Sequence, residues 1–396
     1  MKLYSKTIYG SGKSTPAIPI DINNYLHLDL CEFKEDDVFF YDRHDLSIKH
    51  LSLDDFIDES HWNHIRINPS VKILIDFSDD YLNIIDVKRF SKTIIEKNIN
   101  PSQVYLLVMD DNFKQFAVTE FKKLGVEGVN VYHYNTLLKK VKMYYVKTYN
   151  NPTKFKFSLL SRNYHSWRLA SVIKFIESDV LKDFNYSFHN FLPYQDKIVT
   201  LDEVKQDVIS EGFFINDKIE SWISGLPYDV GARIDKWDNV TYDTILSSDF
   251  HFIIESHHDA YLFKVFSSFR EKYDINDFSP AFPTEKTWKC IASKKPFMVA
   301  TTPFFLRGIK QLGFKTFSPF IDESYDEIVD NKERLNIVAD EAIRISKLPL
   351  DEYNQILVNC NDICEYNYNM LKQHYSDIKF VNEFSWVNEI LRNIKL

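Results

Sequence analysis

Two apolar runs that end in acid, Val71-Lys-Ile-Leu-Ile-Asp-Phe and Val104-Tyr-Leu-Leu-Val-Met-Asp-Asp, constrain the fold of this chain most. Each has the length of a buried strand, and a helical segment from Asp86 to Lys97 separates them. Val129-Asn-Val-Tyr-His-Tyr repeats the form after a helix containing Phe113 to Leu124. Strand, helix, strand, helix, strand at this spacing predicts a parallel sheet with helices on its faces. Tyr149-Asn-Asn-Pro-Thr is polar, carries a proline and reads as a linker. The alternation then restarts with a strand from Phe155 to Leu160, a helix from Trp167 to Ile176, and strands from Phe250 to Ile254 and Pro296 to Ala300. A short helix and a strand through Phe314-Lys-Thr-Phe follow. Residues 200 to 240 read as irregular and charged. Helical patterns run from Tyr325 to Leu348 and from Leu350 to about His374, and Glu383 to Ile394 has the spacing of a further helix.

A chain of 396 residues exceeds what one hydrophobic core usually supports, so two domains are expected. Hydrophobic residues at 44% and aromatics at 15% are enough to fill both. The net charge of −9 argues against a surface that attracts nucleic acid nonspecifically, and leaves room only for a localised basic face. Lys88, Lys92, Lys97, Lys139, Lys140, Lys142 and Lys147 make the first domain locally basic, which fits such a face or a solvated helix surface. Of the four cysteines, Cys360 and Cys364 lie one helical turn apart and read as packed thiols in a reducing compartment. No apolar run approaches a membrane span, and Met1-Lys-Leu-Tyr-Ser-Lys lacks the apolar stretch of a secretory leader. Gly10-Ser-Gly-Lys-Ser-Thr is not a P-loop, because the first glycine of that motif would fall at Thr7 and Pro16 and Pro19 forbid the helix that should follow.

Three places carry chemistry suited to a phosphorylated ligand. Thr284-Glu-Lys-Thr-Trp-Lys opens a helix, so Glu285 can accept from a ribose diol while Lys286, Lys289 and the helix N-terminus face a diphosphate. Ser161-Arg-Asn-Tyr-His-Ser-Trp-Arg joins a buried strand to a helix and offers Arg162, Asn163, His165 and Arg168, whose guanidinium groups suit bidentate phosphate contacts. Glu255 and Ser256 follow the strand from Phe250, at the carboxyl edge where open α/β sheets collect ligands. Helix capping also accounts for Thr284 and its acidic first turn, and surface ion pairing for the arginines. His257, His258 and Asp259 are adjacent on an extended stretch, point to opposite faces and do not make a metal site. Asp76, Asp79 and Asp110 end or follow strands of the first domain and are candidates for a general base, each also being a plausible cap. Asp-x-Asp does not occur, which favours a metal-free site with Lys and Arg neutralising the leaving group.

Phe250-His-Phe-Ile-Ile-Glu-Ser-His-His, continued by Thr284-Glu-Lys-Thr-Trp-Lys, resembles the donor-site signature of α1,3-fucosyltransferase-type glycosyltransferases. It resembles more closely a set of phage and bacterial proteins with Glu-Lys-Thr-Trp-Lys followed by Gly-Phe-Lys-Thr-Phe and Asp-Glu-Ser-Tyr-Asp-Glu, present here at Gly313 to Phe317 and Asp322 to Glu327. The resemblance spans about residues 155 to 340. The gap between Glu255 and Glu285 is longer than in the fucosyltransferases, and Lys294-Lys295 replaces their Ala-Gly pair. The resemblance implies an α/β GT-B architecture: two Rossmann-like domains facing a cleft. Residues 1–150 would form the acceptor side and 151–375 the nucleotide-sugar domain, with 376–396 as a C-terminal helix packing back on the first. It implies a cytoplasmic, metal-independent transferase using a UDP- or GDP-type sugar donor and needing no other cofactor. The implied acceptor is a hydroxymethylated pyrimidine of phage DNA, with a surface polysaccharide or lipopolysaccharide as the alternative. A catalytically silent nucleotide-sugar-binding protein on the same fold is the remaining class.

Overall fold

A computed structural model describes residues 3–5, 38–42, 57, 59–77, 84–108, 111–133, 153–161, 164–192, 197–230, 245–255 and 283–380. The chain divides into two compact units, Met1–Lys140 with Tyr375–Leu396, and Val141–His374.

The first unit holds β1 (Leu3–Ser5), β2 (Val38–Asp42), α1 (Glu59–Ile67), β3 (Lys72–Phe77), α2 (Ile84–Glu96), β4 (Val104–Val108), α3 (Asp111–Lys123) and β5 (Asn130–His133). All five strands are parallel and stand in the order of the sequence. Parallel neighbours need crossover connections, which α1, α2 and α3 supply. β4 is buried along its whole length, as the apolar run predicts for a strand covered on both faces. In α2 the residues Val87, Phe90, Ser91 and Ile94 are buried while Lys88, Lys92 and Ile95 are exposed, a single apolar stripe at helical spacing. Buried Gln103 donates its amide to the carbonyl oxygens of Ile65 (3.0 Å), Asn68 (3.0 Å) and Val71 (2.8 Å), fastening the end of α1 and the turn into β3 to the start of β4.

The second unit holds β6 (Phe155–Ser161), α4 (Ser166–Glu177), β7 (Phe184–Phe188), β8 (Phe191–Leu192), β9 (Lys197–Ile198), α5 (Leu201–Ser210), α6 (Asp217–Ser224) and β10 (Ser248–Ile254). It continues through α7 (Glu285–Ala292), β11 (Phe297–Ala300), α8 (Phe305–Gln311), α9 (Asn331–Ser346) and α10 (Leu350–Phe380), whose residues from Tyr375 on are counted with the first unit. Its main sheet is parallel in the order β11-β10-β6-β7, and β8 and β9 form a separate antiparallel pair. The chain first builds outward from β6 to β7, then returns to the other side of β6 with β10. That reversal between β6 and β10 is a topological switch point, the position at whose carboxyl edge open α/β sheets collect ligands. Phe157 stacks on Phe184 at 4.9 Å and on Phe250 at 5.3 Å, so one aromatic layer ties β10, β6 and β7 together. Each unit is a Rossmann-like α/β body, as the alternation of elements predicts.

Three local expectations are corrected. Residues 201–210 and 217–224 are helices, started by a capping box of Thr200 and Glu203 and by the Asn216 side chain. The long helix opens at Asn331, where Asp330 accepts from the Glu333 amide, and Tyr325 instead sits in a 3₁₀ turn, Ser324–Glu327. Phe314 to Phe317 is not a strand: Gly313 turns the chain at φ 88°, and Phe314 and Phe317 are buried as loop side chains. The expected linker residues 149–152, the Gly10 to Thr15 stretch and the terminal helix from Glu383 lie outside the described residues.

Candidate functional site

β6 and β10 end side by side at the switch point, and the next helices of the described chain are α4 and α7. His165 occupies the N-cap position of α4, and its side chain makes no capping hydrogen bond. Its ring lies parallel to that of Trp167, with centroids 4.3 Å apart. Burial, reinforced by the positive charges of Arg168 and Lys286, lowers the His165 imidazole to about 4. His165 and Arg168 belong to α4 and Lys286 to α7, so the two helix starts lie within electrostatic range of each other. Arg168 is buried inside the first turn of α4.

Glu255 closes β10 and is only 1% exposed. Its backbone amide donates to the Ala300 carbonyl at 3.1 Å, extending the pairing with β11. Its carboxylate accepts from the Thr284 amide (3.1 Å), the Thr284 hydroxyl (2.5 Å) and the Thr287 hydroxyl (2.8 Å). Lys286 Nζ stands 3.5 Å from Glu255 Oε2 and 3.3 Å from Thr284 Oγ1. Thr284 Oγ1 also accepts from the Lys286 amide at 3.3 Å, which makes it the N-cap of α7. Lys289, one turn on, is buried. Under this edge, fully buried His251 of β10 shares a hydrogen bond between Nδ1 and Ser158 Oγ of β6. Burial, with Lys286 and Lys289, lowers His251 to about 3, so both histidines are neutral at physiological pH.

The structure therefore brings His165, Arg168, Glu255, Thr284, Lys286 and Lys289 to one edge of one sheet. Arg162, Asn163 and Ser256 lie outside the described residues, and Glu285 is placed only as the first residue of α7. Of the base candidates, Asp76 sits near the carboxyl end of β3, in register with Asp42 of β2 and Leu107 of β4, while Asp79 and Asp110 lie outside the described residues. His257, His258 and Asp259 are also outside them. Among the described residues no group of His, Cys, Asp and Glu could hold a metal ion, and no helix is long and apolar enough to cross a membrane.

Several residues escape sequence reasoning. Thr287 follows Thr284 by three positions and so shares its helix face, a spacing that was legible. Trp167 has no such cue. Phe304 holds a left-handed backbone, φ 61°, at the entry to α8, with the Arg307 guanidinium 4.5 Å over its ring. A bulky residue there is strained, and Asp326 holds it: the Asp326 carbonyl accepts from the Phe304 amide at 2.6 Å. The Asp326 carboxylate accepts from the Leu306 (2.8 Å) and Arg307 (3.2 Å) amides. The Asp-Glu-Ser-Tyr-Asp-Glu motif is thus a brace for the loop after β11, in which Glu323 also accepts from the Phe317 amide at 2.7 Å.

No family model and no curated protein matches the sequence. Seven chains of solved structures match in three dimensions. One belongs to the GtfA/B complex, with 10% identity and a TM-score of 0.38 over 94% of this chain. The present chain spans 64% of the length of that one. Another is a trehalose-6-phosphate synthase studied for glycosyl transfer with retention, with 11% identity and a TM-score of 0.41 over 88% of this chain and 75% of that one.

Proposed function

We propose that the chain is a glycosyltransferase of GT-B type that binds a nucleoside-diphosphate sugar at the β6/β10 edge of its second unit and transfers the sugar to an acceptor hydroxyl. The observation that carries this is the convergence of α4 and α7 on Lys286 at a topological switch point. A diphosphate there would meet the N-terminus of α4, whose N-cap residue His165 makes no side-chain capping bond, together with the ammonium of Lys286. The motif resemblance at Phe250 to Lys289 supports the same ligand. Arg162 and Asn163 would extend the phosphate contacts, and Glu285 would take the ribose of a UDP- or GDP-type donor. Stabilising the departing diphosphate with fixed cations and amides is electrostatic catalysis that needs no divalent ion. The base that takes the acceptor proton would come from Asp76, Asp79 or Asp110.

For the acceptor, the resemblance to phage proteins supports a hydroxymethylated DNA pyrimidine, modified in the host cytoplasm. A specific observation favours a glycan instead. Within the expected basic face, Lys97 pairs with Glu59 at 2.7 Å and Lys92 with Glu96 at 3.7 Å, which reduces the charge offered to phosphates.

The test has two arms. Calorimetry with UDP, GDP, ADP and CDP should find one that binds, and binding of none by the folded chain overturns the donor site. Mass spectrometry of hydroxymethylcytosine DNA and of lipopolysaccharide, each incubated with the matching sugar nucleotides, then identifies the acceptor. A nucleotide that binds while neither acceptor gains mass and no donor is hydrolysed would mark a silent binding protein.

A further inference from the structure

We propose that Glu255 is a positioning residue of this site: it acts through Lys286, fixing where the ammonium meets a diphosphate, and does not itself touch the ligand. The proposal rests on the donor-site reading above. A carboxylate can only accept, and its two oxygens offer about four lone-pair directions. On Glu255, Oε1 takes the Thr284 amide and the Thr287 hydroxyl, and Oε2 takes the Thr284 hydroxyl and faces Lys286 Nζ at 3.5 Å. With the side chain 1% exposed, a ribose hydroxyl could reach it only by displacing one of these donors.

Every one of those partners belongs to the N-cap or first turn of α7. The Glu255 backbone is itself fixed to the sheet through the bond from its amide to the Ala300 carbonyl. A continuous path therefore runs from β11 through Glu255 to Thr284 and Thr287, and from them to Lys286. The ammonium of Lys286 meets Glu255 and Thr284 at 3.5 and 3.3 Å, longer than the best charge-assisted bonds. Its side chain keeps 23% exposure, which leaves the ammonium a route to a ligand.

This geometry makes Glu255→Gln a selective probe. A glutamine can keep its oxygen toward the Thr284 amide and the Thr287 hydroxyl, because those are fixed or willing donors. Its NH₂ then faces Thr284 Oγ1, which can turn to accept, and Lys286, which cannot. Helix α7 stays docked and the lysine loses its anchor.

The experiment is a double-mutant cycle on the full chain: wild type, E255Q, K286M and E255Q/K286M, titrated with whichever of UDP, GDP, ADP and CDP binds best and with its parent nucleoside. Thermal unfolding of each variant is followed in parallel. E255Q should lose at least about tenfold in diphosphate affinity while nucleoside affinity stays within about twofold. The double variant should bind no worse than K286M alone. Equal losses for nucleoside and diphosphate would mean that Glu255 merely supports the fold, and additive losses in the cycle that it touches the ligand. Either result overturns the proposal, as does an E255Q affinity equal to wild type. Should E255Q fail to fold, Thr287→Val removes one tie and keeps the charge. It should weaken diphosphate binding in the same direction, and no change there sinks the idea. A wild-type chain that binds no nucleotide instead removes the donor-site reading on which the proposal stands.

Discussion

Arg334 donates from Nε to the carbonyl oxygen of Thr301 at 2.6 Å, across 33 residues of chain. The same guanidinium reaches the Ile328 carbonyl at 2.7 Å and Asn331 Oδ1 at 2.7 Å, with Arg334 only 1% exposed. A planar fork with donors on three sides satisfies backbone carbonyls at the end of β11 and in the approach to α9 at once. Arg334→Met should leave them buried and unpaired, costing about 3 kcal/mol or more, and Arg334→Lys should recover only part of that. Chemical denaturation of the three proteins checks the order, and a lysine variant as stable as wild type would contradict it.

Asp326 gives a pH dependence with a definite sign. Burial pushes its carboxyl from 3.8 up to about 6, against the Leu306 and Arg307 amides that favour the charged form. Between those values the folded chain holds a proton that the unfolded chain has released. The contribution to stability is therefore complete below pH 3.8 and is lost as pH rises through about 6. Asp326→Asn removes the titration, so the stability of wild type relative to the variant should fall by an amount on the order of 2 to 3 kcal/mol between pH 4 and pH 7. A difference independent of pH refutes this.

His165 and His251 act in the opposite sense. Their folded values of about 4 and about 3 lie below the ordinary 6.5, so the unfolded chain binds more protons in that window. Their contribution is intact above pH 6.5 and disappears as pH falls through 4 and then 3. Replacing His251 by Gln should flatten the acid limb of the stability profile. An unchanged limb, measured by thermal melts from pH 7 to pH 3.5, would show that the buried ring does not titrate on unfolding.

Gln103 can be tested by polarity alone. Its amide faces three carbonyl oxygens, so Gln103→Leu should cost about 2 kcal/mol, and Gln103→Glu more, because a buried acceptor is then set against acceptors. Near-ultraviolet circular dichroism of the two variants, followed through urea unfolding, ranks them. A glutamate variant at least as stable as the leucine one is the contrary result.

Sugar transfer, once an acceptor is found, should persist in excess EDTA, because the proposed site neutralises the leaving group with Lys286 and helix amides. Activity abolished by EDTA and restored by manganese or magnesium would place the enzyme in a metal-dependent class.

The parallel sheets were legible wherever a strand is buried on both faces, because such strands must be apolar throughout; β4 and β11 are the clear cases. The helices α5 and α6 were harder, since their buried residues are few: Val204 and Val208 in one, Ile219, Trp222 and Ile223 in the other, set among charges. Their caps were the available cue. β7 alternates polar and apolar residues and carries no continuous run. At the site, Thr284 and Lys286 followed from local capping logic. The occupation of Glu255 did not, because it depends on a 29-residue excursion returning Thr284 to the end of β10, which no local pattern encodes.

The strand order of the second unit also bears on how the chain reaches its folded state. β6 and β7 are joined by one helix and can pair early, whereas the bond between Ser158 and His251 links residues 93 apart. The β6–β10 pair is thus closed by the longest chain excursion in that sheet, and loop-closure entropy delays it relative to the β6–β7 pair. In the first unit each strand instead pairs with its successor in the chain. During synthesis that sheet can grow by adding one strand at a time, while the edge proposed to bind the donor in the second cannot exist until β10 has left the ribosome.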